Sequence, residues 1–169
     1  MKTLYLMRHA KSSWSTPGLN DSQRPLNDRG KKAAPFMGKI LKKMNEMPEL
    51  IVTSSAKRAC STAKRIAEKL SYSLKKILKE EKLYMAGRDE FLSVIAQTGN
   101  NINKLMLISH NPGITDFANS VSGENIENIP TAGIVRIDFD VNSWDNIKET
   151  KGKFIFFEYP KKYSSQFGI

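Results

Sequence analysis

The sequence predicts an α/β fold, a three-layer sandwich with a mostly parallel central sheet and helices on both faces. Two observations predict it. Strand-like and helix-like segments alternate along the chain, as they do where helices carry the chain from one parallel strand to the next. Two apolar runs, Leu4-Tyr5-Leu6-Met7 and Leu105-Met106-Leu107-Ile108-Ser109, lead directly into Arg8-His9 and His110, and the carboxyl ends of parallel strands are where such folds build sites. The 169 residues match the size of one domain, so 1–169 is expected to fold as a single unit.

Each element follows from its pattern. The first strand is expected at Thr3 to Met7. A polar loop containing Pro17-Gly18 and Arg24-Pro25 leads to Asn27 or Asp28, caps for a helix with Ala33, Ala34, Met37, Ile40, Leu41 and Met44 on one face. Pro35 is expected near its first turn, where proline costs least. Leu50-Ile51-Val52 is a second strand, and Thr53, Ser54 and Ser55 should cap a helix whose core face is Ala59, Ala63, Ile66, Ala67 and Leu70. A short strand is expected around Lys76 to Leu78. Arg88 to Gln97 reads as a helix with Phe91, Leu92, Ile95 and Ala96 inward, followed by a polar turn at Asn100 to Asn103, the Leu105 to Ser109 strand and a helix from Gly113 to Val121. Gly133 to Phe139 and Lys153 to Glu158 should pair as antiparallel neighbours at a sheet edge.

Composition narrows the class. No window approaches the roughly 18 to 20 apolar residues of a membrane span, and no signal-peptide pattern precedes the first strand, so a cytoplasmic protein that does not engage a membrane is expected. The formal charge of +10 invites a nucleic-acid partner. Against that, the basic pairs Lys31-Lys32, Lys42-Lys43, Lys75-Lys76 and Lys161-Lys162 lack aromatic interleaving and any nucleic-acid-binding signature. A positive field does attract phosphorylated substrates. The single cysteine, Cys60, lacks an arginine six positions on, since Ile66 stands there; it is read as a small core-side helix residue rather than a nucleophile.

Arg8, His9, Arg58 and His110 all fall where strands end or helices begin, hence on one sheet edge. A neutral imidazole can attack phosphorus while guanidinium forks hold the phosphoryl oxygens. The helix that opens after Ser54-Ser55 adds backbone N–H groups favourable to an anion. That combination points to phosphoryl transfer without a metal or other cofactor.

Four ordered blocks then carry a family resemblance: Leu6-Met7-Arg8-His9-Ala10-Lys11-Ser12-Ser13-Trp14, Arg24-Pro25-Leu26-Asn27-Asp28-Arg29-Gly30, Ser54-Ser55-Ala56-Lys57-Arg58-Ala59-Cys60-Ser61-Thr62-Ala63, and Ser109-His110-Asn111-Pro112-Gly113. Pro130-Thr131-Ala132-Gly133 and the segment around Trp144 fit as well. The chain resembles the histidine phosphatase superfamily, which includes the phosphoglycerate mutases, and within it the small SixA-like phosphohistidine phosphatases. The resemblance implies a phosphoglycerate mutase-like fold, His9 as a transiently phosphorylated nucleophile, and Arg8, Arg58 and His110 as ligands of the phosphoryl oxygens. Arg24 is an additional pocket arginine or a loop ion-pair partner; Asn111 and Thr131 line the pocket or make turn hydrogen bonds; Trp14 anchors its loop or touches substrate.

The resemblance supplies no aligned general acid. Glu80, Glu81, Asp89 and Glu90 are the carboxylates in the relevant stretch, and each is expected to face solvent. Imidazole leaves phosphorus more readily than an alkoxide does, so a phosphohistidine on a partner protein is the expected substrate. Small phosphate esters are the alternative substrates, and a non-enzymatic basic module binding a phosphoprotein or nucleic acid is the other reading.

Overall fold

The computed structural model describes residues 1–167. Strands β1 (Lys2–Arg8), β2 (Leu50–Ser54), β3 (Leu78–Glu80), β4 (Lys104–Ser109), β5 (Ile134–Phe139) and β6 (Lys153–Glu158) form one sheet in the order β3-β2-β4-β1-β5-β6. β1 to β4 are mutually parallel, whereas β5 runs against both β1 and β6. The predicted α/β class and the antiparallel β5–β6 pair at the edge are both present.

Alternation along the central strands divides the core in two. Tyr5, Met7, Ile51, Met106 and Ile108 pack with the apolar faces of α1 (Asp28–Lys43) and α2 (Lys57–Lys69). On the other face, Leu4, Leu6, Leu105 and Leu107 meet α3 (Arg88–Ala96), α4 (Gly113–Ser122) and the Trp144 turn. Strands covered on both faces read as continuous apolar runs, and each fully buried Leu or Ile contributes about 1.5–3 kcal/mol.

Asn27 caps α1 as expected, its side chain accepting from Gly30 N at 2.9 Å. Several local expectations are corrected. Pro35 lies inside α1, beyond the first turn; the exposed Lys31, whose carbonyl it leaves unpaired, can turn to water. Met44 is the helix C-cap and exposed. None of Thr53, Ser54 and Ser55 takes the capping position assigned to them: the first two complete β2, and Ala56 occupies the cap of α2 without a side-chain bond. In α3 it is Val94 that is buried, with Leu92 half-buried and Ala96 exposed. The short strand starts at Leu78, two residues late, because Leu74–Lys76 forms a turn and β3 has a single neighbour to pair with. Cys60 is half-buried on α2, its thiol donating to Ser54 O at 3.3 Å.

Register places the site. Arg8 stands beside Ser109 across the β1–β4 pair, and Thr53 beside Ile108 across β2–β4. The residues that follow β1 and β4, His9 and His110, therefore leave the sheet side by side, next to Ser54 at the end of β2.

Candidate active site

His9 N–H donates to Ser109 O at 3.1 Å, extending the ladder one step beyond β1. The His9 ring sits 4.9 Å from the His110 ring, centroid to centroid. His9 Nδ1 lies 2.7 Å from Ala10 O, and Arg58 Nε donates to His9 Nε2 at 3.3 Å. A guanidinium cannot accept, so Nε2 carries the lone pair and Nδ1 the proton. Thr62 on α2 fixes the Ala10 peptide, accepting from Ala10 N at 3.0 Å and donating to Arg58 O at 2.7 Å. The same threonine thus ties the His9 loop to the turn that carries Arg58.

The same logic sets His110. Arg58 Nη2 lies 3.3 Å from its Nδ1, and Ser54 Oγ lies 2.7 Å from its Nε2, so Nε2–H donates to the serine. Burial, aided by the charges around them, pushes the His9 pKa down to about 3 and that of His110 to about 4. Arg58 and Arg8 act on both rings, and His110 also lowers the His9 value. Both imidazoles are neutral near pH 7. That suits a nucleophile; a phosphoryl dianion beside His110 would favour its protonated form.

A pocket of about 260 Å³ joins Arg8, His9, Arg24, Arg58, His110, Asn111 and Thr131. The residues named from sequence as catalytic or phosphate-binding are thereby brought together. Arg8 Nη1 is held by Ile129 O at 3.1 Å, while its Nε is buried without a hydrogen-bond partner. Arg24 is both a pocket residue and a loop partner: it donates to Ser12 Oγ, lies 3.4 Å from the Trp14 ring centroid, and its Nε is 3.6 Å from Asp21 Oδ1. Trp14 is 77% exposed, so it lines the pocket as a platform for Arg24 instead of anchoring the loop in the core. The Asn111 side chain is spent on structure, donating to Asn128 Oδ1 and Ile129 O and accepting from Thr115 Oγ1 at 2.6 Å.

Sequence reasoning missed Asp21. Its backbone carbonyl accepts from Arg58 Nη1 at 2.6 Å, and its carboxylate accepts from Arg58 Nη2 at 2.9 Å and from Tyr84 OH at 2.5 Å. The Tyr84 hydroxyl and the Arg58 charge hold this carboxyl below its usual range. An aspartate in an aperiodic polar loop carries no pattern; only its place three residues before Arg24 hinted at it. Thr62 had a better signal, a lone hydroxyl within the apolar stripe Ala59, Ala63, Ile66. Of the four carboxylates named earlier, none lines this pocket. Glu80 is half-buried and accepts from Lys82 N, Glu90 caps Gly87 N, and Glu81 and Asp89 are exposed.

Comparison with known proteins bears on the family and the fold. Residues 4–84 match the model of the histidine phosphatase superfamily (branch 1). The SixA protein of Agrobacterium tumefaciens superposes with a TM-score of 0.81 at 26% identity, over 94% of this chain and 98% of that one. The chain belongs to the histidine phosphatase superfamily. It is a phosphatase of that superfamily built like SixA. A SixA protein histidine phosphatase in complex with tungstate shares the fold, with a TM-score of 0.82 at 20% identity over 95% and 99% of the two chains. Among curated relatives, an uncharacterised Mycobacterium leprae protein is 27% identical over 92% of this chain and 100% of its own length. An uncharacterised chloroplastic protein of Arabidopsis thaliana is also 27% identical, over 85% of this chain and 69% of its own. Among the described residues, no helix is long and apolar enough to cross a membrane.

Proposed function

We propose that this phosphatase removes phosphate from phosphohistidine on a partner protein, through a phospho-His9 intermediate and without a metal. The observation that carries the reading is the fixed His9 ring, with Nδ1–H on Ala10 O and the Nε2 lone pair turned toward Arg58 and His110. In the first step Nε2 attacks phosphorus and the substrate P–N bond breaks; the departing imidazole keeps the bonding electron pair. With its second ring nitrogen protonated it leaves as neutral imidazole. In the second step water attacks phospho-His9, the P–Nε2 bond breaks and a proton goes to solvent. Arg8, Arg58, Arg24 and His110 surround the space where the equatorial oxygens gain charge, and groups already oriented there lower the barrier.

Asp21 supports a P–N substrate over an ester. It is the carboxylate among the pocket-lining residues, and Tyr84 and Arg58 keep it ionised, which suits charge balance and not proton donation to an alkoxide. The SixA complex with tungstate, a tetrahedral oxyanion, is in keeping with an anion pocket in this fold.

The test is phosphate release from a phosphohistidine-bearing protein in the presence of a chelator, with wild type and His9→Ala compared. Release that resists the chelator and is lost in the variant is expected. Equal release from both would remove His9 as nucleophile. Turnover of alkyl phosphates exceeding that of phosphohistidine would reassign the substrate to small esters.

A further inference from the structure

A second depression, of about 280 Å³, adjoins the phosphate pocket and shares Arg8, Lys11 and Thr131 with it. Arg29 from the first turn of α1 and Lys161 from the turn Pro160–Tyr163 close its other sides. That turn is docked on α1 through an edge contact between the Tyr163 and Phe36 rings, with centroids 5.8 Å apart. Lys11, Arg29 and Lys161 are all exposed, and no aspartate or glutamate lines the groove.

Neutralisation elsewhere makes the contrast. Lys162, next in sequence, donates to Phe157 O at 2.7 Å and lies 3.4 Å from Glu158 Oε1. Arg136 is held between Glu46 and Asp138. Among the described residues, Lys11, Arg29 and Lys161 have no ion pair of this kind. Three uncompensated cations around a concave surface raise the local potential and draw in anions, far more than the same charges spread over a convex helix face. The apolar floor, which includes Ala33 and Pro160, can take aliphatic stems while the charged ends reach the rim.

We propose that this groove binds acidic side chains flanking the phosphorylated residue of a phosphoprotein, and so selects substrates that carry aspartate or glutamate beside the phosphohistidine. The proposal rests on the phosphohistidine-protein reading above. Three separate cations carried by three different segments, the loop after His9, the start of α1 and the turn Pro160–Tyr163, fit a short acidic segment with more than one carboxylate. Continuity through Arg8 and Lys11 lets one chain fill both depressions.

The experiment compares wild type with Arg29→Glu/Lys161→Glu on a phosphohistidine peptide with Glu and Asp flanks, the same peptide with Gln and Asn flanks, and phosphoramidate. Arg29→Gln/Lys161→Gln serves as the milder pair. In wild type, kcat/KM should favour the acidic peptide by about tenfold at low salt, the advantage shrinking as salt screens the groove. In the variants the advantage should vanish through KM, with kcat and phosphoramidate turnover unchanged. Equal use of both peptides by wild type would overturn the proposal, as would a matching loss on phosphoramidate. If neither peptide is hydrolysed while phosphoramidate is, the protein-substrate reading fails. The groove is then judged by a phosphate-free Glu-rich peptide, whose inhibition of wild type but not of the variants would keep it as an acidic-peptide site. Stronger discrimination by the variants against a small bisphosphate than against that peptide would overturn it.

Discussion

Arg58 shows how one side chain can organise a site. Its Nε faces His9, its Nη2 is shared between His110 and Asp21, and its Nη1 is on the Asp21 carbonyl. A phosphoryl group that binds Arg58 must compete with the Asp21 carboxylate. Asp21→Asn is therefore expected to bind inorganic phosphate several-fold more tightly, as read from product inhibition. It should also release Tyr84, whose phenol is held above its usual range first by the Asp21 hydrogen bond; ultraviolet titration against Tyr84→Phe should show that pKa falling. Thr62 is a positioning residue. Thr62→Val keeps the shape but leaves Ala10 N–H without an acceptor in a buried place, and a loss of about 1–3 kcal/mol in urea unfolding is expected. Because the Ala10 carbonyl orients His9, kcat should fall with little change in KM.

At the scale of elements, two glycines fix how α1 meets its neighbours. A Cβ on Gly30 would stand 2.1 Å from Lys11 O, and one on Gly38 would stand 2.8 Å from Lys69 Cβ on α2. Lys11 O also accepts from Asn27 N at 3.0 Å, so the start of α1 clamps the loop that follows His9. Gly38→Ala should cost about 1–3 kcal/mol by separating the two helices, with kcat retained. Gly30→Ala should lose stability and turnover together, since backbone must move and that backbone carries the nucleophile. Circular dichroism melts beside single-turnover rates would separate the two cases. The block Arg24 to Gly30 was legible as a motif in the sequence; its reason, a steric contact between segments apart in sequence, was not.

On the scale of the whole molecule, two buried neutral histidines make stability depend on pH. Each has its pKa lowered on folding, to about 3 for His9 and about 4 for His110, so the unfolded chain binds more protons below about pH 6.5. Stability is then complete above that value and is lost as pH falls toward 4, by on the order of a few kcal/mol. Melting temperature measured from pH 7 to pH 4 should fall steeply in wild type and less so in His110→Gln. The α/β class, most of the helix faces, the antiparallel pair at the sheet edge and the strand-end placement of Arg8, His9, Arg58 and His110 were determined by the sequence itself, because apolar periodicity and strand ends are local and repeat at short range. The tertiary structure alone decided the rest. Asp21 reaches Arg58 across 37 positions. Lys2, at a strand start, is buried with its ammonium on Asn100 O, Ile102 O and Asn103 Oδ1. Arg29 and Lys161 meet at one groove although α1 and the last turn lie at opposite ends of the chain. Single polar side chains carry no period, and their partners are chosen by the packing of apolar segments between them, so their roles exist only once the sheet has closed.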